Sequence, residues 1–345
     1  MTGDKLNPVP RDGSKRPPLS SRRRWKLLIS YAPDWIITIG ATGLFYLLDG
    51  IHGFWRDFSL TDTSIQYNYT LHERVPNWAL YLIALIAPLV IMPIINIISI
   101  RSWWDWHNSW LGLILSVGLT GTITNIVKIT AGRPRPDLIS RCQPGRNADN
   151  ALIFGLADAS ICTQTDIKIL RDGFRSFFSG HSSLSFAGLG FLFWYMSGKM
   201  HLFDLRGHAG KAWIAFVPLM GATLVAISRT MDYRHHPIDV FVGAVVGLVI
   251  SHYSYRQYFP PLTHPLCHRP YSPRIPRESE EDGQLAGANA VPTSSTVGPS
   301  ANTGSPGPDD TVQRNNQDVS DAWREGSRRG VAGMRNDEET VVRAR

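Results

Sequence analysis

Apolar residues gather in six runs along the chain, over residues 27–48, 78–100, 110–127, 183–196, 212–227 and 238–255. A helix needs about 20 consecutive apolar residues to cross a bilayer, so the runs predict an all-α fold, a six-span transmembrane helical bundle. The second run carries no charged residue, and its Pro88 and Pro93 are tolerable as kinks inside a packed bundle. Several later runs are shorter than a full crossing. The deficit falls where polar clusters adjoin them, which predicts helices that continue into polar turns lining a recess rather than touching lipid. Residues 1–26 read as a polar, basic N-terminus and 27–258 as the membrane domain. Residues 259–345 are rich in Pro, Gly, Ser, Asn and mixed charge without apolar periodicity, and read as a disordered tail.

A length of 345 residues would suit two soluble domains, but the apolar residues are concentrated in the middle and argue for one membrane domain. The formal charge of +7 is explained by Arg22, Arg23, Arg24 and Lys26 at the cytosolic edge of the first run. No nucleic-acid motif accompanies it, so a lipid bilayer and not nucleic acid is the expected partner. The N-terminus lacks a cleavable signal pattern, and the first run is expected to stay as an anchor. Six crossings then place both termini in the cytosol.

The loop of residues 128–182 is basic, with Arg133, Arg135, Arg141, Arg146, Lys168, Arg171 and Arg175 on the outer side, against the usual bias. Anion binding accounts for part of that excess. Cys142 and Cys162 share this loop and form a disulfide if it faces an oxidising compartment; the other reading is two free buried thiols. Cys267 lies beyond the last run, as an unmodified cysteine or a palmitoylation site. Asn68-Tyr69-Thr70 is a glycosylation sequon in the loop between the first two runs.

Three polar clusters sit at run ends, where ionisable groups are costly and point to function. In the first, Lys128 and Arg135-Pro136 suit a phosphate: a guanidinium grips two oxygens and the lysine adds a point charge. Arg133 competes with Arg135 for that role, and taken alone the pair reads as a snorkelling membrane flank. In the second, Ser179-Gly180-His181 precedes a helix start whose free amides form an anion cradle, with an ordinary serine cap as the bland reading. The third holds Arg229, His235 and Asp239. The four-residue spacing of His235 and Asp239, with Pro237 between them, predicts one helical face on which the carboxylate fixes the tautomer of the imidazole. His236 is the adjacent alternative. Six spans bring all these positions to one membrane face.

The spacings K-x6-R-P, S-G-H and S-R-x5-H-x3-D over these residues resemble the three-part signature of the type-2 phosphatidic acid phosphatase, or lipid phosphate phosphatase, superfamily, which also includes vanadium haloperoxidases. The stretch from Arg56-Asp57-Phe58 through Asp62 and Ser64-Ile65 to Glu73-Arg74-Val75 looks like its eukaryotic branch, diacylglycerol pyrophosphate phosphatases among them. Phe178 departs from the proline that many members carry before Ser-Gly-His, and Asn68 replaces a proline often found in the first outer loop.

The resemblance implies a six-span lipid phosphatase acting on phospholipid phosphates: phosphatidate, lysophosphatidate and diacylglycerol pyrophosphate. It implies His235 as nucleophile forming a phosphohistidine, and His181 as acid and then base. Lys128, Arg135, Ser179, Gly180 and Arg229 would bind the non-bridging oxygens. No metal or other cofactor is expected, because the nucleophile is a side chain and fixed cations supply the charge. The site would face the lumen, vacuole or exterior. Sphingoid-base or polyprenyl phosphates, vanadate-dependent halide oxidation and non-catalytic lipid binding are the alternative functions. Neither the preferred lipid nor the oligomeric state follows from the sequence.

Overall fold

A computed structural model describes residues 21–204 and 207–275. The extreme N-terminus and the tail beyond residue 275 lie outside the described residues. The described residues fall into two compact units. In one, Arg274 grips Asp34 through both guanidinium arms at 3.0 and 2.7 Å and lies 4.6 Å over the Tyr31 ring. The other runs from Trp35 to Ser272 and carries the helical bundle.

The elements are helical throughout: α1 (Ser21–Asp49), α2 (Asn77–Tyr81), a π-helical turn (Leu82–Ile86), α3 (Ala87–Ile98), α4 (Trp103–Ala131), α5 (Leu138–Cys142), α6 (Ile167–Gly173), α7 (Gly180–Lys199), α8 (Ala209–Met231) and α9 (Pro237–Tyr258). Two isolated bridges, Phe58 with Ala157 and Pro144 with Cys162, are the extended pairings among the described residues.

Among the described residues, five helical stretches are long and apolar enough to cross a membrane: Trp25–Asp49, Asn77–Ile98, Trp103–Ala131, Ala209–Met231 and Pro237–Tyr258. The expectation was six. The fourth run forms α7, which has the length of a crossing but is rich in Ser and Gly. Its composition answers to packing, because α7 is the central helix and lies against α4, α8 and α9. Small residues allow such close approach where lipid-facing bulk would forbid it. At Gly247 of α9 an added Cβ would lie 2.2 Å from the Ser183 carbonyl oxygen of α7.

The prolines of the second run have a definite consequence. Pro88 has no N–H to give the carbonyl four residues back, so the oxygen of Ala84 loses its helical partner and the turn widens into the π-helical segment. Gly188 of α7 packs into this widened turn, where a Cβ would meet the Ala84 oxygen at 1.7 Å.

At the bundle end opposite the candidate site, Asp105 of α4 accepts from Lys199 Nζ and from the Tyr195 hydroxyl of α7, each at 2.6 Å. Residues 259–272 also pack here, although the sequence reading placed them in the disordered tail. Lys199 Nζ donates to the His268 carbonyl at 2.6 Å, Trp104 Nε1 to the Tyr271 carbonyl at 2.7 Å, and Cys267 is buried with its thiol on the Gly198 carbonyl at 3.4 Å. Buried aromatic Phe259, stacked on Tyr255, explains the difference: ordering comes from single anchors and shows no periodicity.

At the other end, the loops of residues 51–76 and 132–179 share a small apolar core of Phe58, Ile65, Leu138, Cys142, Leu170 and Phe174, with Trp55 stacked on Phe174 at 5.0 Å. A disulfide joins Cys142 and Cys162 within it. Asn68 is exposed in the first of these loops.

Gly188→Ala is expected to lower stability by about 1–3 kcal/mol, because the added methyl has nowhere to go. Gly221→Ala, whose Cβ would meet only Leu189 Cδ1 at an ordinary 3.6 Å, is expected to be neutral. Thermal unfolding of the two purified variants in detergent makes the comparison.

Candidate active site

The C-terminal ends of α4 and α8 and the N-terminal ends of α7 and α9 meet at one end of the bundle. Gly132 closes α4 in the left-handed conformation, φ 56°, and its N–H caps the Lys128 carbonyl at 3.4 Å. The turn that follows is stitched to residues 173–176, with the Arg135 N–H on the Gly173 carbonyl at 2.8 Å and the Ser176 N–H on the Arg133 carbonyl at 3.0 Å. The start of α7 is tied to α9 by the Ser179 N–H on the Asp239 carbonyl at 3.0 Å. Through these links all three sequence clusters reach one place.

Lys128 Nζ lies over Gly180, where a Cβ would come within 3.0 Å of it. Glycine therefore lets the ammonium lie close to the backbone at the α7 N-terminus, where a side chain would press it back. Ser179 caps α7 by accepting from the Ser182 N–H at 3.4 Å, which leaves its own hydroxyl proton for another acceptor. Arg229 is buried and held on three sides, by Ser228 Oγ at 3.0 Å, Glu73 at 2.8 Å and Asp232 at 3.2 Å.

His235 is buried, and its Nδ1 lies 2.7 Å from the Ser176 carbonyl oxygen. A carbonyl can only accept, so Nδ1 carries the proton and Nε2 keeps its lone pair. Burial, and then the charges of Arg135 and Lys128, hold this imidazole well below its ordinary pKa. It is neutral at physiological pH. His181 Nε2 lies 3.0 Å from the Val75 carbonyl oxygen and 3.9 Å from a Glu73 oxygen.

Asp239 does not contact the His235 ring, contrary to the four-residue spacing argument. α9 begins at Pro237, so His235 precedes the helix and helical side-chain spacing does not apply to it. Asp239 is instead the third helical residue and folds back over the helix start, accepting from the His236 N–H at 3.3 Å and pairing with its Nδ1 at 3.2 Å. Its other partners are Ser176 Oγ at 2.6 Å and Arg133 at 2.6 Å. Arg133, the competitor of Arg135, is thus engaged by Asp239. The tie from Asp239 to His235 runs through Ser176, whose hydroxyl binds the carboxylate while its carbonyl binds the ring.

Sequence reasoning did not single out Ser176, Asp172 or Arg234. Asp172 binds Arg135 at 2.7 Å and Arg141 at 2.8 Å, and Arg141 is also paired through both arms with Asp137. The protein packed around Asp172 would raise its pKa, but Arg135, Arg141, Lys128 and Arg234 outweigh that effect and hold it well below the usual carboxylate range. Arg234 lies 4.7 Å from the Tyr69 ring centroid and reaches Glu73 at 2.9 Å. The signal available for Arg234 was its position beside His235 inside the third cluster. Ser176 lies in a loop and Asp172 in the last turn of the seven-residue α6, too short for its course to show in apolar periodicity. Among the described residues, no group of three or more His, Cys, Asp or Glu is placed to hold a metal ion.

Residues 109–261 match the model of the PAP2 superfamily. The chain is also 40% identical over 229 residues to lipid phosphate phosphatase 2 of Arabidopsis thaliana, covering 66% of this chain and 77% of that protein. This chain belongs to the PAP2 superfamily. It is similar as well to diacylglycerol pyrophosphate phosphatase 1 of Saccharomyces cerevisiae, 39% identical over 63% of this chain and 75% of the relative. Lipid phosphate phosphatase 1 of Arabidopsis thaliana is 33% identical over 76% and 81%. No solved structure matches the chain. The PAP2 match spans the ends of α4, α7, α8 and α9 that carry the three clusters, whereas Glu73 and Val75 lie before it.

Asp239→Asn is expected to destabilise the fold by about 2–4 kcal/mol, since it strips the charge from beneath Arg133 and weakens the bond from Ser176. Arg133→Gln should cost less, because that side chain is 30% exposed. Thermal unfolding of both variants measures the difference.

Proposed function

We propose that this chain is an integral membrane lipid phosphate phosphatase, hydrolysing phosphatidate to diacylglycerol and phosphate through a phosphohistidine on His235. The observation that carries the reading is the His235 ring: its Nδ1 is anchored on the Ser176 carbonyl, its Nε2 lone pair is free to attack, and Lys128 and Arg135 stand beside it. Membership of the PAP2 superfamily supports it.

In the proposed reaction, the phosphoryl oxygens rest on Lys128, Arg135, Arg229, the Ser179 hydroxyl and the Gly180 amide. Nε2 of His235 forms a bond to phosphorus as the bond to the lipid oxygen breaks, and that oxygen takes the proton of His181. His181, now neutral, accepts a proton from water as the water attacks the phosphohistidine. This releases phosphate and restores the Nε2 lone pair. Asp239 is a positioning residue that acts through Ser176. Preorganised cations aimed at the phosphoryl group are the main source of acceleration.

The substrate range proposed is phosphatidate, lysophosphatidate and diacylglycerol pyrophosphate; the relatives' names support lipid phosphates as the class and diacylglycerol pyrophosphate within it. In the membrane, α7 acts as the sixth crossing, both termini are cytosolic and the site opens on the lumenal or extracellular face. Asn68, exposed in a loop at that end, is then available for glycosylation.

A magnesium-free phosphate-release panel over phosphatidate, lysophosphatidate, diacylglycerol pyrophosphate and sphingoid phosphates is expected to show turnover on the first three. His235→Ala should fall to background on all of them, and His181→Ala should lose about 10²–10⁴-fold in rate. Release of phosphate by His235→Ala would refute the nucleophile. The pH profile of the wild type follows from the lowered His235 pKa: the ring stays neutral as pH falls through its ordinary value of about 6.5. Protonation of His235 should therefore leave kcat/KM intact until well below that pH.

A further inference from the structure

The loop before α2 places three consecutive residues on the site machinery. The Glu73 carboxylate takes Arg229 with one oxygen at 2.8 Å and Arg234 with the other at 2.9 Å. Arg74 binds Asp232, with its backbone N–H on that carboxylate at 2.9 Å and its guanidinium on it as well. The Val75 carbonyl accepts from His181 Nε2 at 3.0 Å. Both histidine and arginine donors that the proposed reaction needs are therefore satisfied by this loop segment.

The match to a phosphate ester is chemical. A carboxylate spread across two guanidinium groups has the charge and spacing of two phosphoryl oxygens. A carbonyl oxygen on the acid's N–H stands where a leaving-group oxygen must stand to be protonated. Arg229 cannot serve Glu73 and a phosphoryl group through the same N–H. Arg234 is buried, sits next to His235 in the chain, and its Nε has no hydrogen-bond partner.

We propose that Arg229 and Arg234 form a single anion seat that Glu73 fills while the site is empty, and that the substrate's phosphoryl group takes it by displacing the 73–75 loop segment. Arg234 is then a further phosphate-binding residue, and Glu73 is an internal competitor that sets how strongly a phosphate must bind to enter. This deepens the proposed function and rests on it for the identity of the substrate. It does not rest on turnover, because inorganic phosphate probes the seat directly.

The alternative role for Glu73 is purely supportive, holding Arg229 in place for the ligand. The two roles differ in sign. A ligand that must displace a competitor binds more weakly by the fraction of time the seat is open, so weakening the competitor raises affinity. Loss of a support lowers it.

Isothermal titration calorimetry of the full-length protein in detergent with inorganic orthophosphate decides between them. Glu73→Gln, which keeps the shape and loses the charge, is expected to bind phosphate on the order of tenfold tighter than wild type. Glu73→Asp, one methylene shorter and unable to span both arginines, should shift the same way and serves if the glutamine variant does not fold. Adding Arg234→Gln to Glu73→Gln should abolish the gain, as a double-mutant cycle requires of a shared seat. Equal or weaker phosphate binding in the Glu73 variants overturns the proposal, as does a gain that survives loss of Arg234. If the wild type releases no phosphate from phosphatidate while this binding pattern holds, the proposed function fails and the seat stands. Turnover without the gain is the reverse case.

Discussion

Cations crowded at one end of a helical bundle repel one another, and this site persists because carboxylates are interleaved among them. Lys128, Arg135, Arg141, Arg229 and Arg234 converge where two unit charges 4 Å apart interact by about 4 kcal/mol at an effective dielectric near 20. Asp172 ties Arg135 to Arg141, Asp137 neutralises Arg141, and Glu73 joins Arg229 to Arg234. Asp232 completes the lattice between Arg74 and Arg229. Asp172, Asp137 and Asp232 thus fix the guanidinium groups of Arg135, Arg141 and Arg229 before any ligand arrives, whether or not Glu73 is in place. A site for phosphate needs that preorganisation, since the donors then do not have to reorganise during reaction.

The same arrangement explains why His235 suits the role of nucleophile proposed for it. A buried ring would lose hydration on taking a charge, and Arg135 and Lys128 add repulsion, so it stays neutral. Orientation comes from a backbone carbonyl and not from a carboxylate, and the acidic residue four positions on, Asp239, is spent on Ser176, Arg133 and the start of α9. Placing the charge one residue away from the ring leaves the imidazole less basic than direct contact would. The ring is then held by geometry while its reactivity is set by its cationic surroundings.

Close backbone contact supplies the scaffold. Gly247 against the Ser183 carbonyl and Gly188 against the Ala84 carbonyl let α7 lie deep between its neighbours, so the helix that presents Ser179, Gly180 and His181 is the most enclosed of the bundle. The loops above it are closed over their own apolar core by aromatic stacking and the Cys142–Cys162 link. The Arg133 and Arg135 backbones are stitched to that cap, which is how a turn following α4 comes to lie beside a histidine more than a hundred residues later.

The sequence by itself determined the helical class, the polar ends of the apolar runs and the three clusters, because hydrophobic period and local motif spacing are properties of neighbouring residues. It also brought the three clusters toward one face in outline, since the number of runs between them returns each to the same side. Which groups pair was decided only by the tertiary structure. The four-residue step from His235 to Asp239 lost its helical meaning once α9 began at Pro237, and α7 proved too rich in Ser and Gly to register as an apolar crossing because it meets protein on its faces. Ser176 and Glu73 come from irregular loops and Asp172 from the last turn of the short α6, where direction is set by long-range hydrogen bonds and ion pairs that leave no periodic trace in the chain.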